Sequence, residues 1–404
     1  MKDYFFLAFN NLKRRRLRSW LTMIGIFIGI AAVISLISLG QGLKDTISEQ
    51  FEMMGSNKLI VMPGSEDGLM GGMASADKLT QRDLEVIRKV KGVELATEVI
   101  YGSTLIGFKG EVKPSFVIGI TTDDSSKILN DMEGFQIEKG RELESGDKYS
   151  VNIGYSLAQG DFFSKKVGLK DRISVKGQEL RVTGIMEKIG NPQDDSQIYI
   201  PIETARELFE KEGEIDAVYV QAKKGFEPAD VAEDIEKDLR KLRDEKEGEE
   251  TFSVQTFEQI LENFSNIFDV VQGVLVGIAA ISLLVGGVGI MNTMYTSVLE
   301  RTKEIGTMKA VGAKNSDILK IFLFESGLLG FVGGAIGIGI GIGLSKTVEY
   351  IAMNFLGTDL LRASTSAGLI FGALAFSFCI GTLSGILPAM QAAKLKPADA
   401  LRYE

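Results

Sequence analysis

Residues 270–299 read VVQGVLVGIAAISLLVGGVGIMNTMYTSVL, 30 positions without an Asp, Glu, Lys or Arg. A helix rises about 1.5 Å per residue, so about 20 apolar residues suffice to cross the hydrocarbon core of a bilayer. This run is long enough, and it lacks the polar face that a soluble core helix of such length would carry. Three further charge-free runs, 19–43, 326–345 and 363–393, hold 25, 20 and 31 residues. The expected fold class is a membrane protein: four transmembrane α-helices, one plus three, with a large extracytoplasmic α+β domain between helices 1 and 2. Averages conceal this. A chain of 404 residues with 45% hydrophobic and 25% charged residues would suit an ordinary soluble protein; only the segregation of the two kinds along the chain decides.

Orientation is read from basic residues, which stay on the cytoplasmic side. Lys2, Lys13, Arg14, Arg15, Arg16 and Arg18 precede the first run, Arg301, Lys303, Lys309, Lys314 and Lys320 lie between the second and third, and Lys394, Lys396 and Arg402 close the chain. Both termini and the middle loop are therefore expected inside. The expected boundaries are a cytoplasmic amphipathic segment at 1–18, spans at 19–43, 266–293, 319–345 and 363–388, and an extracytoplasmic domain at 44–265. A cytoplasmic coupling segment at 294–318, an external loop at 346–362 and a cytoplasmic tail at 389–404 complete the division. Residues 44–265 carry a net charge of −15 and the remainder +6. So acidic a domain is a poor partner for nucleic acid, while the basic flanks suit anionic membrane lipid.

The N-terminus looks like a signal peptide, but its apolar run is too long and no small-x-small cleavage site follows Leu39; it reads as an uncleaved anchor. Tyr4, Phe5, Phe6, Leu7, Phe9 and Leu12 beside Lys13–Arg16 suggest a short amphipathic helix on the inner leaflet. The single cysteine, Cys379, lies in the fourth span, and the chain has no histidine. The outer domain can have no disulfide, and the usual general base and commonest zinc ligand are missing. No catalytic residue and no metal site is named.

Within the outer domain, Lys58–Met62 reads as a strand, 64–77 as a Gly/Met/Ser-rich loop, and Thr80 with Asp83 as a capping box opening a helix that buries Leu84, Val86, Ile87 and Val90. Glu94–Phe108 is strand-like. The pattern recurs: strand Ala217–Ala222, helix Pro228–Arg243 with Val231, Ile235, Leu239 and Leu242 on one face, strand Thr251–Thr256. Residues 44–114 and 215–257 thus form a strand–helix–strand subdomain, with a β-rich subdomain, 115–214, inserted through SFVIGI, RISVKG, ELRVTGIM and QIYIPI. Helices at 43–53 and 258–268 are expected to run on from the first span and into the second.

Two patterns could carry chemistry. Gly337-x-Gly339-x-Gly341-x-Gly343 before Ser345-Lys346-Thr347 imitates a phosphate loop, but Ser345 stands where Gly must precede the Lys. The spacing suits close helix packing in lipid, as do Gly25/Gly29, Gly273/Gly277, Gly368/Gly372 and Gly381/Gly385. The other pattern is MNTMYTSVLERTKEIGTMKAVGAKNSDILKIFLFE, residues 291–325. Glu300, Arg301, Lys303, Glu304 and Lys309 alternate there with Ile305, Met308, Ala310 and Val311, and Gly312-Ala313 breaks the helix. A docking helix for a cytoplasmic partner and a plain solvated loop both fit. Glu325, about one turn inside the third span, is expected to pair with Lys320 or Arg301 rather than to mark an ion path.

Three stretches resemble the permeases that include the macrolide exporter MacB, the lipoprotein-releasing permeases and the division protein FtsX. They are NNLKRRRLRSWLTMIGIFIGIAAVI, MNTMYTSVLERTKEIGTMKAVGAKNSDILKIFLFES and the tail GILPAMQAAKLKPADALRYE. The one-plus-three arrangement of spans matches too, so the likeness covers the whole chain. The resemblance implies an ABC transporter subunit, a homodimer served by two copies of a cytoplasmic ABC ATPase. With no Walker motif and 18 residues before the first span, the ATPase is expected to be a separate chain that binds the ATP and Mg; this chain is expected to bind no cofactor and catalyse nothing by itself. Docking would fall on Glu300, Arg301, Lys303, Glu304, Ile305, Gly306, Lys309, Ala310, Gly312 and Ala313. ATP-driven closure would move the outer domain mechanically, for export or extraction of a substrate. An extracytoplasmic protein partner and the substrate stay open. The alternative is a transmembrane sensor regulating an extracellular partner; a membrane hydrolase would need a nucleophile site that is not recognisable here.

Overall fold

A computed structural model describes residues 16–64, 77–132, 135–356, 358 and 360–401. The expected amphipathic segment before Arg16 and most of the 64–77 loop lie outside the described residues. The chain forms two units, one made by Asp45–Asn266 with Asn354–Leu360, the other by the apolar helices up to Lys44, Ile267–Met353 and from Leu361 onward.

Among the described residues the first unit is built on twelve strands. These are β1 Lys58–Pro63, β2 Leu79–Thr80, β3 Val93–Phe108, β4 Glu111–Ile120, β5 Ile137–Gly140, β6 Ser150–Ile153, β7 Arg172–Val175, β8 Gln178–Met186, β9 Ile198–Pro201, β10 Glu214–Ile215, β11 Ala217–Ala222 and β12 Phe252–Thr256. One end of the main sheet runs β12-β1-β11-β3, antiparallel throughout. Helices Gln81–Ile87 and Pro228–Arg243 join β1 to β3 and β11 to β12, the split βαβ arrangement. Their apolar stripes explain the packing. Leu84, Ile87, Val231, Ile235 and Leu239 are buried against Leu59, Val61, Val218, Val220, Phe252 and Val254 of the sheet. Leu242, expected on the same stripe, is instead 42% exposed, because the helix ends one residue later, at Arg243, and is capped by Asp244 in the left-handed conformation.

The insertion grows out of β3, whose first half pairs with β11 and whose second half pairs with β4. From there β4 pairs β9, β9 pairs β6, β6 pairs β8, β8 pairs β7, and β7 returns to β3. The ring of six strands closes around Ile106, Phe108, Val117, Val151, Ile173, Leu180, Val182 and Ile198. Closure removes the exposed edges that short strands would otherwise present.

In the second unit, among the described residues, four helices are long and apolar enough to cross a membrane. The first and second are unbroken from Arg16 to Met54 and from Phe257 to Glu300, 39 and 44 residues, or about 58 and 66 Å, well beyond a ~30 Å hydrocarbon core. The third is Asn315–Ile351 and the fourth Ala367–Lys394. The fourth begins four residues into its charge-free run because Ser366 caps it, its hydroxyl accepting the Leu369 N–H at 3.1 Å. Gly337 to Thr347 all lie within the third helix, so no phosphate-cradling loop exists there. The packing reading holds for part of the glycines. A β-carbon at Gly25 would meet Gly286 at 3.0 Å, Gly341 would meet Ala31 at 2.8 Å, and Gly330 faces Gly381. Gly273, Gly277, Gly339, Gly343 and Gly372 instead face open space.

At one point a loop lies directly on the first helix. The Ser364 N–H donates to the Ser38 carbonyl at 3.0 Å, and a β-carbon at Gly42 would collide with the Arg362 carbonyl oxygen. Gly42→Val should therefore displace the loop and cost about 1–3 kcal/mol by overpacking. A lowered melting temperature in detergent is the expected readout; an unchanged one would show that the loop yields freely.

Candidate functional site

The segment between the second and third spanning helices is a built corner. The second helix stops at Glu300, Arg301 leaves helical geometry at φ −104°, ψ 14°, and a short helix Thr302–Ala310 follows. That helix ends in a tight turn. The Gly312 N–H reaches the Lys309 carbonyl at 3.1 Å and the Ala313 N–H reaches Met308 at 3.0 Å, with Gly312 at φ 110°. Only glycine takes that conformation without strain, so the turn needs this residue here.

The residues named from sequence divide into two faces. Ile305 and Gly306 are buried with Thr302, and Ile305 packs among Val298, Ile318, Phe322 and Ala389. They hold the helix rather than present it. Glu300, Lys303, Glu304, Ala310 and Gly312 are exposed, as is Thr307, and Ala313 is half-buried. Positions three and four apart share one side of a helix, so Lys303, Glu304, Thr307 and Ala310 make a single outward face, and Glu300, exposed at the end of the second helix, precedes it. Val311 stands at its end, 86% exposed. In the sequence Val311 is one of the apolar residues of the segment and is not among the expected docking residues. Nothing in the pattern distinguishes it from a core position, because its exposure comes from the turn at Gly312.

The remaining two residues fasten the helix. Arg301 Nη1 donates to Glu325 Oε2 at 2.8 Å and its Nε to Glu304 Oε2 at 3.0 Å, and its guanidinium lies 5.2 Å over the Phe322 ring. The expected Glu325 pairing is thus made by Arg301, with the two side chains 11% and 12% exposed. Lys309 donates to the Ala393 and Leu395 carbonyls at 2.8 and 2.6 Å, satisfying acceptors that a helix end leaves without intrahelical partners. The short helix Pro397–Leu401 packs on the same segment. Among the described residues no group of three or more His, Cys, Asp or Glu is placed to hold a metal ion.

The profile of the FtsX-like permease C-terminal region matches residues 276–397, and that of the MacB-like periplasmic core domain matches residues 19–238. A Methanocaldococcus jannaschii protein named as an uncharacterized ABC transporter permease is 41% identical over 402 residues, covering 100% of this chain and 98% of that one. The chain belongs to the MacB/FtsX family of ABC transporter permeases.

This permease is also similar to YknZ of Bacillus subtilis, another uncharacterized ABC transporter permease, at 32% identity over 98% of each chain. Similarity to the macrolide export ATP-binding/permease protein MacB of Bdellovibrio bacteriovorus is 30% identity over 100% of this chain but 62% of that one. Membership implies an ATPase partner. With four apolar helices and a MacB-like periplasmic domain, the permease is a multi-pass membrane protein with an extracytoplasmic domain.

Proposed function

We propose that this permease couples ATP hydrolysis by a separate cytoplasmic ATPase to mechanical movement of its outer domain, for export or extraction of a substrate. In this reading the termini and the 294–318 segment are cytoplasmic, two permease chains pair in the lipid bilayer, and each carries one ATPase. ATP and Mg bind to that partner, and catalysis resides there. The observation that carries the proposal is the two-sided helix Thr302–Ala310. Its outward face offers charge at Lys303 and Glu304, with Glu300 exposed just before it and an apolar tip at Val311 just after, while its inward face is tied to the third and fourth spanning helices. A surface that is mixed in character yet rigidly backed suits a docking element, since a partner's push is then delivered to the spans rather than absorbed by a loop. The unbroken first and second helices support a mechanical mode, because a continuous helix carries displacement along its axis.

The test is co-purification of the chain in nanodiscs with a Walker-motif ATPase, repeated with Glu300→Lys and Glu304→Lys. Reversing a charge on a docking face places like charges together, so each variant should retain less than about a tenth of the bound ATPase. Recovery of the ATPase at wild-type levels with both variants would remove the docking assignment, and its absence from the wild-type complex would remove the coupled-ATPase reading.

A further inference from the structure

We infer that Arg301 is the positioning residue that passes the state of the docking face to the third spanning helix, acting through Glu325; this rests on the docking reading above. Arg301 lies where the second helix ends and the short helix begins. Its guanidinium touches both sides of that corner. On one side is Glu304, whose side chain is 68% exposed on the outward face. On the other is Glu325, 12% exposed and nearly three turns into the third helix, which starts at Asn315. The Phe322 ring beneath the guanidinium keeps its plane in place.

One planar cation thus divides its donors between an exposed carboxylate and a buried one. A partner group that engages Glu304 competes with Arg301 for that carboxylate, and the guanidinium then satisfies itself more fully on Glu325. The consequence falls on the third helix, because a largely buried ion pair held by a 2.8 Å hydrogen bond tolerates little separation of its two members. A stroke arriving at the short helix therefore moves the third helix through this pair. The Lys309 bonds to the end of the fourth helix provide a second attachment of different chemistry, so the short helix does not detach when the ion pair is removed. Lysine cannot replace arginine here, since one ammonium cannot lie over Phe322 and reach both carboxylates in fixed directions.

The experiment uses the permease in nanodiscs with its co-purified ATPase, reading both the amount of ATPase bound and the permease-dependent rate of ATP hydrolysis. Arg301→Gln and the isosteric Glu325→Gln should each bind the ATPase at wild-type stoichiometry yet lose about tenfold of the permease-dependent rate, a coupling of the size known for contacting residues. Arg301→Lys should bind normally and recover only part of that rate. Exchanging the charges, Arg301→Glu with Glu325→Arg, should restore the rate to within about threefold of wild type, which loss of folding could not do. Wild-type hydrolysis in the single variants overturns the inference, as does a charge exchange no better than the singles. Loss of ATPase binding in both single variants overturns it as well, since the pair would then belong to the docking surface itself. Failure of the wild-type chain to bind any ATPase would instead remove the docking reading.

Discussion

Arg243→Ala should lower the stability of the outer domain by about 3–5 kcal/mol, the usual result of removing one partner of a buried ion pair. Arg243 closes the helix Pro228–Arg243 and reaches across to the start of the helix Gln81–Ile87. Its Nε and Nη2 donate to the two Asp83 carboxylate oxygens at 3.0 and 2.8 Å, its Nη2 to the Lys78 carbonyl at 2.9 Å and its Nη1 to the Thr251 hydroxyl at 2.7 Å. The guanidinium also lies 5.5 Å over the Phe252 ring. The Asp83 side chain is only 3% exposed, so without Arg243 its charge has little water to turn to. Against a total stability of about 5–15 kcal/mol for a domain, that loss is large. Urea unfolding of the full chain in nanodiscs, followed by circular dichroism, would measure it. The pair Arg243→Leu with Asp83→Leu should cost less than Arg243→Ala alone, because no charge is then stranded. A midpoint shift worth less than about 1 kcal/mol for Arg243→Ala would show that Thr80 alone can hold the carboxylate.

The same contact has a pH signature. Burial acts to raise the Asp83 carboxyl, but hydrogen bonds from Arg243 and Thr80 outweigh it and hold the group below its ordinary value of 3.8. A carboxyl depressed in the folded state contributes stability that is fully present above its unfolded value and is lost as pH falls through the folded one. The advantage of the wild-type chain over Asp83→Asn should therefore be constant at neutral pH and shrink below about pH 4.

Legibility in the sequence followed the physics of each signal. Lys58–Met62 and Ala217–Ala222 were readable as short apolar runs rich in β-branched residues, and Pro228–Arg243 because a 3.6-residue stripe marks one buried face; each forms as expected. The spanning helices were readable because hydrocarbon excludes charge. The closed ring of the insertion was not. Its closing strand, Arg172–Val175, pairs with residues 106–107 and with β8, and pairing across such a separation leaves no local trace. Ser150–Ile153 was missed for another reason: it is only four residues long, and polar Ser150 and Asn152 are buried with the rest, so no apolar run marks it. At the candidate site, the Arg301–Glu325 pair was one of two partners the spacing allowed. The role of Lys309 was hidden, because its acceptors lie 84 and 86 residues away. Ile305 and Gly306 were placed with the docking residues because composition marks a segment, whereas a face emerges only once the helix is set against its neighbours.

Val311→Asp should weaken association with the ATPase by about 100-fold or more while leaving the permease folded. Val311 is 86% exposed beyond the last turn of the short helix, so its side chain contributes little to the packing of its own chain. If it enters an apolar depression on the partner, burial of a valine contributes about 1.5–3 kcal/mol. An aspartate there forfeits that amount and must also shed water from a charge. At about 1.4 kcal/mol per factor of ten, the two together exceed two decades of affinity. Val311→Ala, which removes only part of the apolar surface, should cost about tenfold or less. The order separates docking through the tip from docking through charge alone: in a purely electrostatic contact Val311→Ala would be silent and Glu304→Lys would dominate. Titration of labelled ATPase onto permease nanodiscs would give the order directly. Equal affinities for wild type, Val311→Ala and Val311→Asp would place the tip outside the interface and leave the charged face to carry the docking.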